Sequence, residues 1–123
     1  MLEAYSINAA VTAGGAVPFN SVSVEKGCTA KLTSPSTIEL NKCGVYMVAV
    51  DAVAAASTTL QLTKDGVAQP QAQSTGTALS FVTLVQVPTS NSNCACSSPV
   101  TLRLLNTVAT TLTNCNICIT KIV

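Results

Sequence analysis

The chain has 123 residues, 48% of them hydrophobic and only 9% charged, with six Lys or Arg against five Asp or Glu and a net charge of +1. That is the length of one domain with a core of its own, and a charged share far below the usual ~25% leaves a neutral surface of Thr, Ser, Asn, Gln and Ala. No basic stripe is present to neutralise phosphates, which argues against nucleic acid as a partner, and weak self-repulsion suits a subunit that packs against copies of itself.

Residues 1–17 read as an N-terminal arm ahead of a domain over 18–123. Glu3 stands where a secretory leader would carry basic residues, and no continuous apolar core follows it. Gly14-Gly15 lacks the Lys-Ser/Thr and helix start of a phosphate loop and belongs to the same flexible lead-in. Beyond it, turn signals recur about every ten residues between β-branched runs, the spacing of an all-β sandwich or barrel.

Ser21 to Glu25 alternates as a strand, Thr37 to Leu40 forms a short strand closed by Asn41-Lys42, and Gly44 leads into the strongest strand, Val45 to Ala54. Alanine density over Val50 to Ala56 offers a helix as the competitor there, but the β-branched lead-in favours a strand running on into a loop. Asp51 interrupts this stretch, which also falls short of the ~20 apolar residues of a membrane-spanning helix, so no membrane insertion is expected. Thr59 to Thr63 alternates, with Leu60 and Leu62 on one face, and Lys64-Asp65-Gly66 supplies a tight hairpin turn.

Gln69 to Thr77 and Thr89 to Ser98 read as polar loops. Between them, Leu79 to Val87 sets Leu79, Phe81, Val85 and Val87 on one side of a pleat and Val82 and Leu84 on the other. One sandwich core covers one of those faces only, so a second copy of the chain is the simplest cover for the other. Val100 to Leu105 points Val100, Leu102 and Leu104 inward, and the final segment, Cys115 to Val123, alternates Cys115, Ile117 and Ile119 against Asn116 and Thr120. The expected core therefore includes Tyr46, Leu60, Leu62, Phe81, Val85, Leu102, Leu104, Ile117 and Ile119.

Catalytic chemistry has little to build on. Histidine is absent, and the carboxylates Glu3, Glu25, Glu39, Asp51 and Asp65 are all at least twelve residues apart, so they read as solvated charges and no enzyme activity or cofactor is expected. Six cysteines call for an explanation: Cys28, Cys43, Cys94, Cys96, Cys115 and Cys118. Three readings stand side by side, namely disulfides within or between subunits, buried thiols acting as small hydrophobes, and a metal site built from Cys94, Cys96, Cys115 and Cys118.

The motifs Pro18-Phe19-Asn20, Ser36-Thr37-Ile38-Glu39-Leu40 leading to Gly44-Val45-Tyr46, and Leu60-Gln61-Leu62-Thr63-Lys64-Asp65-Gly66-Val67 resemble the tumour-necrosis-factor/C1q-like jelly-roll family, in its short bacterial and phage form similar to the C-terminal domain of the spore protein BclA. The resemblance spans Pro18 to Val123 and implies a ten-stranded, two-sheet antiparallel sandwich that assembles as a homotrimer. No collagen-like Gly-x-y repeat, the stalk of BclA-like proteins, occurs within these 123 residues, and none is expected ahead of the domain. The expected role is therefore a structural one on a virion surface, as a phage head-decoration or head-fibre subunit whose arms contact the capsid. A glycan- or receptor-binding trimer and a spore-surface or cell-surface protein are the alternatives; scarce aromatics and the lack of Trp weigh against host glycan as partner.

Overall fold

The computed structural model describes residues 1–88 and 99–123, and among them the regular structure is β-strand throughout. Eight strands follow in chain order: β1 (Leu2–Val11), β2 (Ser21–Glu25), β3 (Ala30–Ser34), β4 (Thr37–Leu40), β5 (Gly44–Lys64), β6 (Val67–Val87), β7 (Val100–Asn106) and β8 (Thr110–Lys121). Every pairing between strands is antiparallel.

Two long strands organise the molecule. The first half of β5, Tyr46 to Ala54, pairs with β8, whereas its second half, Leu60 to Lys64, pairs with β7. β6 accompanies β5 along both halves, with a register shift between Val53 and Thr58 where the pair bends. Two five-stranded layers result: β2-β1-β8 with the first half of β5 and the second half of β6, and β3-β4-β7 with the remaining halves. Counted by layer, eight continuous strands occupy ten strand positions, as the sequence resemblance implies.

Alternation decides what faces inward. Tyr46, Val48, Val50 and Ala52 of β5, Leu79, Val85 and Val87 of β6, and Cys115, Ile117 and Ile119 of β8 enter the core from the first layer; Ile38, Leu40, Leu60, Leu62, Leu102 and Leu104 enter it from the second. Phe81 is half-buried and packs against this cluster. At the β5–β6 hairpin, Asp65 and Gly66 both adopt positive φ (50° and 82°), the conformation a two-residue turn between twisted strands requires.

Three sequence expectations need correction. Residues 1–17 are not a free arm: Leu2 to Val11 form β1, held between β2 and β8, and Val17 and Phe19 are buried. The even-numbered burial of Leu2, Ala4 and Ser6 switches to odd at Ala9 and Val11, because Asn8 takes a left-handed conformation (φ 53°) between the pairs Ile7–Asn114 and Ala9–Leu112. Asn tolerates that region better than most residues. Gln69 to Thr77 is likewise strand, the outer half of β6, where the Gln61 side-chain amide donates to the Ala72 carbonyl (3.1 Å) and to that of Gln69, pinning the bulge that contains Pro70. Nor does β5 run into a loop after Ala54; it bends and continues to Lys64. The predicted loop Thr89 to Ser98, with Cys94 and Cys96, lies outside the described residues.

A buried polar cluster fastens the bend. The Thr58 hydroxyl donates to Asn106 Oδ1, and the Asn106 amide donates to the Val108 carbonyl (2.6 Å) with the Val11 and Thr12 carbonyls at 3.3 and 3.4 Å. Thr58 and Asn106 are 2% and 0% exposed, so this cluster ties β5, β7 and the end of β1 together inside the protein. At the other end, the buried Tyr46 hydroxyl donates to the Lys42 carbonyl (2.7 Å).

Candidate functional site

The outward faces of the two layers differ in chemistry. Outside the second layer, cross-strand positions bring Thr59 beside Thr75 and Gln61 beside Gln73, with Thr101, Arg103 and Glu39 farther along. Hydroxyl pairs such as Thr59–Thr75 (2.7 Å) keep that face polar. Asp65 accepts from the Thr101 backbone N–H (2.8 Å) and hydroxyl, which closes the hairpin end.

Outside the first layer the registers build apolar rows. Leu84 lies across from Met47, Val82 from Ala49, and Ala78 from Val53; on the far side of β5, Ala49 meets Cys118 and Val53 meets Asn114. Val82 is 65% exposed, Leu84 57% and Ile7, farther along on β1, 65%, with Met47 and Val53 also open to solvent. Among the described outward residues of β1, β5, β6 and β8 there is no Lys or Arg side chain; Glu3 and Asp51 supply the only charges. Isolated surface hydrophobes are ordinary, but a contiguous apolar patch on a flat sheet marks an interaction surface.

Covering such a face is a gain of about 1.5–3 kcal/mol for each large aliphatic side chain fully buried. The second half of β6 adds to the demand. Among the described residues it pairs with β5 alone, so its far edge is a sheet edge beside Val82 and Leu84, where the Ser80 N–H donates to the Ser74 hydroxyl (3.2 Å). The sequence singled out Val82 and Leu84 but not the facing Met47, Ala49 and Val53, although the apolar residues on both sides of Asp51 in β5 carried that signal.

The cysteines are scattered. Cys115 points into the core and Cys118 to the outside, because residues three apart on a strand occupy opposite faces. Their side chains therefore do not converge on one metal ion, and the four-cysteine grouping loses its second pair. Among the described residues no three His, Cys, Asp or Glu side chains gather as metal ligands. Burial, followed by the negative charge of Asp51, raises the Cys115 thiol to about 12 from its ordinary value of 9.0, leaving it protonated and inert as a nucleophile. Cys28 is exposed, and Cys43 is half-buried against the core. Of the carboxylates, Glu3 accepts from the Ser23 hydroxyl and Asp65 serves its turn.

No protein-family model and no curated protein sequence matches the chain. Solved structures do. The globular domain of zebrafish complement 1qA protein superposes with a TM-score of 0.75 at 10% identity, covering 99% of this chain and 96% of that one. Murine APRIL gives 0.65 at 6% identity over 94% and 96% of the two chains, and rabbit GITRL 0.64 at 12% over 100% and 95%. The fold is a TNF/C1q-like jelly roll. In this jelly roll β1 and β2 belong to the domain itself, and the apolar rows lie on the outer face of the layer that contains them.

Proposed function

We propose that this jelly roll is a non-enzymatic structural module that forms a homotrimer through the outer face of its β2-β1-β8-β5-β6 layer and coats a particle surface, in the first instance a phage head. The observation that carries the reading is the row structure of that face, where Val82 and Leu84 stand exposed over Ala49 and Met47 with no cationic side chain among the described outward residues. A second copy offers the same apolar chemistry, and three copies around one axis leave no open interface. The Thr- and Gln-rich face of the other layer then points to solvent.

A surface with 9% charged residues lets many copies sit close together without mutual repulsion, which suits a coat. Since β1 is part of the sandwich, attachment to the particle falls to the loops.

Sedimentation velocity on the purified chain tests the assembly. The expected result is a trimer at micromolar concentration, and a monomer from Val82→Glu combined with Leu84→Glu, because each uncompensated buried carboxylate costs several kcal/mol. A wild-type monomer at tens of micromolar would refute the reading. The particle role is tested by gene neighbourhood and by mass spectrometry of purified virions: capsid and portal genes nearby and the chain on the particle support it, whereas sporulation genes nearby or specific glycan-array binding by the trimer move the role elsewhere.

A further inference from the structure

We propose that Asp51 makes self-association acid-tightened, the outer face of β5 acting as a carboxylate-gated contact between copies of this chain. The inference rests on the homotrimer reading above and adds to it a proton-linked control.

Asp51 lies in the middle of the apolar face. Its cross-strand neighbours are Ser80 on β6 and Asn116 on β8; the adjoining rows hold Val82, Ala49 and Cys118 on one side and Ala78, Val53 and Asn114 on the other. The carboxylate is exposed in the single chain, where water solvates it at no cost. Once a second copy covers the rows around it, that water is lost, and a carboxylate without a cation or a full set of donors is disfavoured against its protonated form.

No neighbouring element supplies the cation. The titratable groups on the strands packed beside it are Glu3 and Tyr5 on β1, Cys118 on the outer and Cys115 on the inner face of β8, while the facing part of β6 carries none. Glu25 and Lys26 lie at the end of β2, where the Met1 ammonium donates to the Lys26 carbonyl (2.8 Å). At the end of β8, Lys121 donates to the Val123 carbonyl (2.8 Å) from the register position of Tyr46. Assembly about a common axis thus brings symmetry-related Asp51 carboxylates into a face whose other charge, Glu3, is also negative. Three like charges in a desolvated contact oppose it, and protonation removes the opposition.

The sign follows from linkage. If the assembled state holds the Asp51 proton more tightly than the single chain, association strengthens as pH falls through the carboxylate range, by at most about tenfold per subunit per pH unit. The test is sedimentation of the full chain and of Asp51→Asn and Glu3→Gln at constant ionic strength, between about pH 7.5 and about pH 4.5, with circular dichroism checking that each remains folded. Expected is wild-type association at least tenfold tighter at the acid end, Asp51→Asn already tight at the neutral end and flat with pH, and Glu3→Gln keeping the wild-type slope. An assembly that is flat with pH, or whose slope survives in Asp51→Asn or vanishes in Glu3→Gln, overturns the proposal and leaves the trimer standing. Monomers at every pH in every variant overturn the trimer reading, and this proposal with it.

Discussion

Replacing Asn106 with Ala tests how much of this sandwich depends on the polar cluster at the bend of β5. The side chain is fully buried, accepts from the Thr58 hydroxyl and donates to the Val108 carbonyl at 2.6 Å. Two good hydrogen bonds are worth about 1 kcal/mol each, and the Val108 carbonyl, left with only the long contact to the Thr58 hydroxyl (3.4 Å) while that hydroxyl keeps the Val108 N–H (3.1 Å), adds about 1–2 kcal/mol. The longer contacts to Val11 and Thr12 contribute less. The expected loss is about 3–4 kcal/mol, a large part of the ~5–15 kcal/mol that holds a domain together. Urea unfolding at fixed protein concentration measures it, since any assembly makes apparent stability depend on concentration. A double-mutant cycle with Thr58→Val sharpens the test, because two residues sharing one bond lose less together than the sum of their separate losses. A loss below about 1 kcal/mol for Asn106→Ala, or strict additivity in the cycle, would refute the account of the cluster as the fastening of the bend.

Two further outcomes are expected. Gly44 adopts φ +141°, and a Cβ there meets the Val123 carbonyl oxygen and the Lys121 side chain, so Gly44→Ala should cost about 2 kcal/mol or more and lower the melting temperature by several degrees in a thermal scan; an unchanged melting temperature contradicts the close approach. For Cys115, the folded-state value of about 12 lies above the ordinary 9.0, so its contribution to stability is complete below about pH 9 and is lost as pH rises towards 12; iodoacetamide at mildly alkaline pH should alkylate Cys28 in the native protein and spare Cys115, read by peptide mass.

Much of this architecture could be read from alternation alone. The inward sets of β5, β6, β7 and β8 follow a period of two over enough apolar residues to declare which side is buried, and Asp65-Gly66 declares its turn chemically. The strands that escaped notice broke one of those conditions. β1 changes the parity of its buried residues at Asn8 and uses Ala and Ser for much of its inner face; the outer half of β6 buries Ala72 and little else, because an edge strand needs backbone partners more than apolar ones. Val82 and Leu84 showed in the sequence that the second half of β6 has two apolar faces. Which face the core keeps dry, and that Met47, Ala49 and Val53 extend the other into a patch with Asp51 inside it, was decided only when antiparallel register placed residues far apart in the chain, such as Met47 and Leu84, side by side in β5 and β6. Cysteine placement was likewise a tertiary matter. A spacing that would suit a metal knuckle in a loop instead lies on an extended strand, whose pleat sends Cys115 inward and Cys118 outward.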